Sequence, residues 1–221
     1  MISEQIKRLH EELPAGVGLV AVSKFHPAEA IMEAYNAGQR CFGESRVQEL
    51  LAKIPQLPAD IRWHFIGHLQ TNKVRQLVGK VAMIESVDTE RLLELIDRES
   101  ERAGTVSRVL MQVHVAREET KFGFYPEELL EYFRLRKFEQ LRAVHICGVM
   151  GMASNTDDRA RVAKDFADIA AVYRAIRDDE SHGLRGFDTL SMGMSGDWPL
   201  AVEHGSNLVR VGTAIFGPRQ Y

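Results

Sequence analysis

Eight short runs rich in apolar and β-branched residues recur along this 221-residue chain, and all but the last are followed by a stretch with helical spacing. That alternation is the strongest constraint on the fold. A helix between two strands carries the chain back to start the next strand in the same direction, so the sheet is parallel and covered by helices. Eight such units close into a barrel of roughly 200 to 250 residues. The expected fold is therefore a (β/α)8 TIM barrel in which residues 1–221 form one domain. Ile2, Ile6, Leu9 and Leu13 add an amino-terminal helix, ended by Pro14 and placed to cap the lower end of the sheet. An open doubly wound sheet is the competing fold. Its marker, a Gly-x-Gly-x-x-Gly turn after the first strand, is absent, because that turn reads Lys24-Phe25-His26-Pro27.

The runs predict strands over residues 19–24, 40–43, 61–66, 81–87, 108–115, 144–150, 189–194 and 208–211. Helices are expected over 47–53, 70–78, 89–103, 126–138 and 159–177, with shorter ones beginning at Pro27 and Trp198. Gly38, Gly79 and Gly104 stop three of them, and Asp88 is the expected cap of the helix over 89–103.

Composition excludes several classes. A net charge of -3 provides no basic field for nucleic acid. No apolar run approaches the roughly 18 residues that cross a bilayer. The amino terminus is polar and amphipathic rather than a signal peptide, so the cytoplasm is the default compartment. Cys41 and Cys147, the two cysteines, lie in apolar runs and read as buried thiols; no metal-binding spacing occurs.

In a barrel the chemistry lies at the carboxyl ends of the strands. The first strand ends at Lys24. The seventh and eighth run into Ser191-Met192-Gly193-Met194-Ser195-Gly196 and Arg210-Val211-Gly212-Thr213. Small residues there let backbone N–H groups approach an anion, and these two loops are the usual phosphate site of the fold. A lysine facing such a site suggests either a sugar-phosphate Schiff base or pyridoxal phosphate (PLP) held by the amine. Arg210 sits in an apolar run, where it either pairs with a carboxylate such as Glu203 or Glu44 or faces the pyridine nitrogen of PLP. His64 and His68 read as hydrogen-bonded core residues, Met150, Met152, Met192 and Met194 as pocket filler, and Glu118, Glu119 and Lys121 as a solvated loop.

The strings LVAVSK, FGESRVQELLAK, WHFIGHLQTNK, QVHVAREETKFGF, GVMGMAS and LSMGMSGDWPLAVEHGSNLVRVGTAIFG resemble the YggS/PROSC-type pyridoxal phosphate homeostasis proteins, which are similar to the barrel domain of alanine racemase. The resemblance runs from about Gly18 to Gly217. It implies a barrel of PLP fold type III with Lys24 as the Schiff-base lysine. It puts the phosphate contacts at Ser195, Gly212 and Thr213, with Ser191 a further candidate, and Arg210 near the pyridine nitrogen. The chain departs from the pattern at Ser45 and at His114, where the family usually has Asn. Ser45 falls near the cofactor ring.

Three functions follow: a protein that holds, buffers or delivers PLP without turnover; an amino-acid racemase or lyase; or a Schiff-base aldolase without cofactor. Racemisation needs an acid/base group on each face of the substrate. None of Tyr35, Tyr125, Tyr132, Tyr173 and Tyr221 ends a strand, so no catalytic residue is assigned. The first function is expected, with PLP-dependent apo-enzymes as partners and a monomer as the simplest assembly.

Overall fold

Inward and outward residues alternate along a strand, so a closed parallel barrel needs one apolar face for its helices and a second set of side chains to fill its lumen. The computed structural model, which describes residues 1–116 and 122–218, meets both needs. Its strands are β1 (Gly18–Val22), β2 (Cys41–Glu44), β3 (Arg62–Phe65), β4 (Met83–Val87), β5 (Ser107–Val113), β6 (Val144–Gly151), β7 (Thr189–Ser191) and β8 (Leu208–Val211). They close in sequence order, with β8 pairing back onto β1 in parallel. Glu118, Glu119, Lys121 and Tyr221 lie outside the described residues.

Around the barrel run α2 (Ala28–Asn36), α3 (Val47–Lys53), α4 (Val74–Leu77), α5 (Glu90–Arg102), α6 (Pro126–Arg134), α7 (Arg159–Arg177), α8 (Trp198–Glu203) and α9 (Thr213–Phe216). The eighth strand is thus followed by a short helix that the sequence pattern did not announce. The amino-terminal helix α1 (Ile2–Glu12) packs mainly against α2 and α9, joining the outer layer between the last unit and the first. Outward residues such as Phe42, Trp63, Phe65, Ile84, Val109, Leu190 and Val209 meet Ile31, Leu50, Leu93, Phe133, Phe166 and Ile169 of the helices in one core. Each fully buried side chain of this kind contributes about 1.5–3 kcal/mol.

The lumen is divided. Met83, Leu110, Cys147 and Met150 form an apolar cluster on one side, and Cys41 and Cys147 are both buried free thiols. Elsewhere in the lumen His64, Glu85, Ser191 and Arg210 are linked in a buried polar chain.

Some boundaries move for local reasons. Strand β7 ends at Ser191, three residues before the expected 194. Gly193 adopts φ 97° in the left-handed region, and a Cβ there would stand 2.7 Å from the Ala201 Cβ, so only glycine fits the break. Asp88 does not cap α5. Thr89 does, its side chain accepting the Leu92 N–H at 3.2 Å. The Asp88 carboxylate instead bonds His68 Nδ1 at 2.7 Å. The helix expected over 70–78 becomes a 3-10 turn, Thr71–Lys73, followed by the single turn of α4. Among the described residues no helix is long and apolar enough to cross a membrane, and no group of three His, Cys, Asp or Glu side chains could hold a metal ion.

Candidate functional site

A cavity of about 310 Å³ opens at the carboxyl ends of β1, β2 and β8. Lys24, Ser45, Ser195, Arg210, Gly212 and Thr213 all line it, with Val22, His26, Ile66, Met152, Met194 and Gly196 completing the wall. Six of the seven residues picked out from sequence therefore meet in one place. Ser191 is not in the wall. It is fully buried beneath it, among the groups that hold Arg210. A larger hollow of about 620 Å³ adjoins the cavity, sharing Met152, Met194 and Gly196, and is lined mainly by the loops after β6 and β7.

The early end of β7 carries Ser195 over the top of β8. Its Oγ accepts the N–H of Gly212 at 3.2 Å and of Ala214 at 3.3 Å. Two backbone donors are thus aimed at one oxygen at the cavity edge. Gly212 also packs closely on β1, since a Cβ there would lie 3.3 Å from both Cβ and O of Val22. The donor set is the kind that recognises an oxyanion without a cationic side chain.

Arg210 projects from β8 into the lumen and is 4% exposed. Its Nη1 donates to Ser191 Oγ at 2.6 Å and its Nη2 to the Gly151 carbonyl at 2.9 Å. The expected carboxylate partners, Glu203 and Glu44, are not its partners. The one opposite it is Glu85 of β4, with Oε2 at 3.9 Å from Nη1. Glu85 accepts the Ser191 hydroxyl at 2.6 Å, a contact across the lumen from β7 to β4, and its other oxygen meets His64 Nδ1 at 2.6 Å. Burial pulls the Arg210 pKa down, against the attraction of Glu85 and Asp197. Burial likewise opposes the charged form of Glu85, but His64, Arg210 and Ser191 outweigh it and hold the carboxyl below its usual range. For His64, burial opposes protonation, and contacts with Cys41 and Glu85 overcome it, raising its pKa to about 10.

The neighbouring strand, β1, stops at Val22, and Lys24 sits in the turn that follows. Phe25, the next residue, has φ 68°, which for a bulky side chain costs about 1–3 kcal/mol and persists only where the surroundings enforce it. The guanidinium of Arg46 lies over the Phe25 ring at 4.7 Å. Close by, Gly67 lets the β3 end approach β2, because a Cβ there would fall 2.3 Å from the Ser45 carbonyl. His26 stacks on Phe216 of α9 with ring centroids 5.0 Å apart.

Sequence reasoning passed over Glu85, Lys53 and His26. Glu85 left a signal, a carboxylate inside the apolar run Val81 to Val87, where an ion is retained only if paired. Lys53 left none, since a lysine four residues after Glu49 reads as an ordinary surface pair on a helix.

Comparison with known proteins agrees with this architecture. Residues 1–220 match the family described as alanine racemase, N-terminal domain. A pyridoxal phosphate homeostasis protein of Schizosaccharomyces pombe is 39% identical over 204 residues, covering 91% of this chain and 84% of its own. The structure of PipY from Synechococcus elongatus, determined with PLP bound, superposes with a TM-score of 0.89 at 40% identity, covering 98% of this chain and 100% of PipY. Alanine racemase from E. faecalis shares the fold at 19% identity, TM-score 0.75, with 98% of this chain matching 57% of the enzyme. With the cavity at the strand ends and its lysine on the turn after β1, the chain belongs to the pyridoxal phosphate homeostasis protein family, built on the barrel of the alanine racemase N-terminal domain.

Proposed function

We propose that this protein binds pyridoxal 5'-phosphate at the cavity between Lys24 and the β7 and β8 loops, and that it holds, buffers or delivers the cofactor without turning over a substrate. The observation that carries this reading is the meeting of an amine, two converging backbone N–H donors and a buried guanidinium on one cavity of about 310 Å³. PipY, 40% identical, was determined with PLP bound.

The donor set fits the group. Gly212 and Ala214 N–H already point at an oxygen, that of Ser195, so a phosphate oxygen would find the same donors, with the Ser195 and Thr213 hydroxyls beside them. PLP supplies an aldehyde that condenses with an amine. In this chain Lys24 presents the amine. Arg210 stands in the cavity wall with its proton secured by Glu85 and Ser191, so it would donate to a ring nitrogen rather than accept from it. Such a donor leaves that nitrogen unprotonated and weakens the ring as an electron sink. Ser45 lines the cavity where the ring would pass.

The reading without turnover is supported by where the titratable groups lie. Among the described residues lining the cavity these are Lys24, His26 and Arg210, and no tyrosine is present. Lys24 and His26 come from the same turn, whereas racemisation needs an acid/base group on each face. The delivery partners would be PLP-dependent apo-enzymes.

The test is spectroscopic. Protein incubated with PLP should develop a visible band that hydride reduction fixes onto Lys24, and Lys24→Ala should lose both. A Lys24→Ala protein that still captures PLP would refute the assignment. For the second half, amino-acid enantiomers in deuterium oxide should show no enzyme-dependent deuterium at Cα, and clear turnover would make the protein a racemase.

A further inference from the structure

The turn that carries Lys24 is held by an ion cluster on the outer side of the barrel. Lys53, in the last turn of α3, is a buried lysine with 8% of its side chain exposed. Its Nζ donates to three oxygens: Glu44 Oε1 at 2.7 Å, Glu49 Oε1 at 2.7 Å and the main-chain carbonyl of Ser23 at 3.0 Å. The carboxylates in turn hold the two residues that flank Lys24. Glu44 Oε1 accepts the Ser23 hydroxyl at 2.6 Å, and Glu49 Oε1 accepts the backbone N–H of Phe25 at 2.6 Å. One cation therefore ties the residue before Lys24 to the residue after it. Phe25 is also the residue forced into the left-handed region. A strained backbone persists where its environment over-determines it, and here the Phe25 N–H contact leads through Glu49 to Lys53.

We infer that Lys53, acting through Glu44 and Glu49, is a positioning residue that fixes the direction in which the Lys24 amine enters the cavity. This rests on Lys24 being the PLP lysine. Lys53 touches no cofactor, because it is not in the cavity wall. Its role is to make the Ser23–Phe25 turn adopt one shape. A group misplaced by about 1 Å reacts on the order of a hundredfold more slowly, so a turn released from its cluster should capture PLP slowly even in a folded barrel.

The experiment follows the rate at which full-length protein forms the visible band with PLP, and the site at which hydride fixes the cofactor. Lys53→Met keeps the aliphatic stem and removes the cation. Glu49→Ala removes the acceptor of the Phe25 N–H at a side chain already 20% exposed, and Glu49→Gln restores an uncharged acceptor. Lys53→Met and Glu49→Ala should each slow capture at Lys24 by at least about tenfold, while unfolding stays cooperative. Glu49→Gln should recover most of the loss, which a merely structural defect would not do. Wild-type capture rates in folded Lys53→Met and Glu49→Ala overturn the inference and leave the PLP site standing. If Lys53→Met does not fold, Glu49→Ala and Glu49→Gln decide alone, with equal slow rates in the two counting against a role for the Phe25 contact. Capture that persists in Lys24→Ala removes the underlying assignment instead, so the two failures are distinguishable.

Discussion

Glu85→Gln is the perturbation that most directly tests how the lumen works. The substitution keeps the size of the side chain and removes one charge from a chain of four buried groups. Glu85 Oε2 stands 3.9 Å from Arg210 Nη1, a separation at which opposite charges attract by about 4 kcal/mol at an effective dielectric of about 20. The loss falls unevenly. His64 owes its raised pKa partly to Glu85, so without the carboxylate it can shed its proton and relieve its share. Arg210 has no such escape, because guanidinium does not deprotonate in proteins. A buried cation left without its partner costs about 3–5 kcal/mol. For a chain of this size that corresponds to a fall in Tm of about 6 to 20 °C.

The pH dependence gives a second readout with a fixed sign. His64 binds its proton more tightly folded, near pKa 10, than at its ordinary 6.5. Its contribution is therefore complete below about pH 6.5 and is lost as the pH rises toward 10. Glu85 behaves in the opposite sense. Its carboxyl is depressed in the folded state, so its contribution is present above the unfolded carboxylate pKa and disappears as the pH falls through the lower folded value. Urea unfolding of wild type and Glu85→Gln between pH 5 and 10 measures the His64 effect, whose window lies inside that range. The variant should be less stable throughout and should show a shallower alkaline slope, since Cys41 still favours the protonated His64. A Glu85→Gln protein within about 1 kcal/mol of wild type at pH 7, with that slope intact, would show that the chain is not held by charge.

Four further outcomes are expected. Ser195→Ala and Thr213→Ala should each weaken PLP retention by roughly 1.5–3 kcal/mol, measured by equilibrium dialysis; unchanged affinity in both would displace the phosphate from these loops. Ser191→Ala should alter the absorption band of bound PLP by releasing Arg210 Nη1 from its 2.6 Å acceptor, without touching the cavity wall; an unaltered spectrum would deny that Ser191 orients the guanidinium. Gly193→Ala should destabilise the protein and loosen the Ser195 loop, since its Cβ meets Ala201 at 2.7 Å on a backbone that disfavours any side chain; a denaturation midpoint equal to wild type refutes this. Thr89→Ala should cost about 0.5–2 kcal/mol of stability by removing the α5 cap, whereas Asp88→Asn should leave that cap in place.

What the sequence disclosed and what it hid differ in physical kind. Helices α3 and α7 and strand β8 fall on the expected residues, because periodic apolar spacing and proline or polar caps act locally. The position of Lys24 followed from the run that precedes it, and the two small-residue loops followed from their places after the seventh and eighth strands. The support of the site was much less visible. Glu85 and Ser191 are 106 residues apart and meet only because a closed barrel sets β4 and β7 across one lumen. The sequence position of Arg210 suggests Glu44 or Glu203 as its partner, whereas the carboxylate opposite it is Glu85. Lys53 and Glu49 are spaced like a solvent-exposed pair, and only the docking of α3 beneath the β1 turn turns them into a buried cluster.

The two cationic walls of the cavity share one construction. Arg210 is fixed from inside the barrel by Glu85 and Ser191, and the Lys24 turn is fixed from outside by Lys53, Glu44 and Glu49. In both cases the carboxylates themselves stand outside the cavity wall, so the groups facing a ligand are set before it arrives. A ligand entering such a site loses little affinity to reorganisation of the protein. Catalysis makes a different demand, since only contacts that strengthen in the transition state raise a rate. In the proposed function the fixed groups would meet a phosphate, a ring and an aldehyde, and among the described residues the cavity's acid/base groups Lys24 and His26 stand on a single turn. A site preset in this way suits the proposed role of holding PLP, in which retention matters more than turnover.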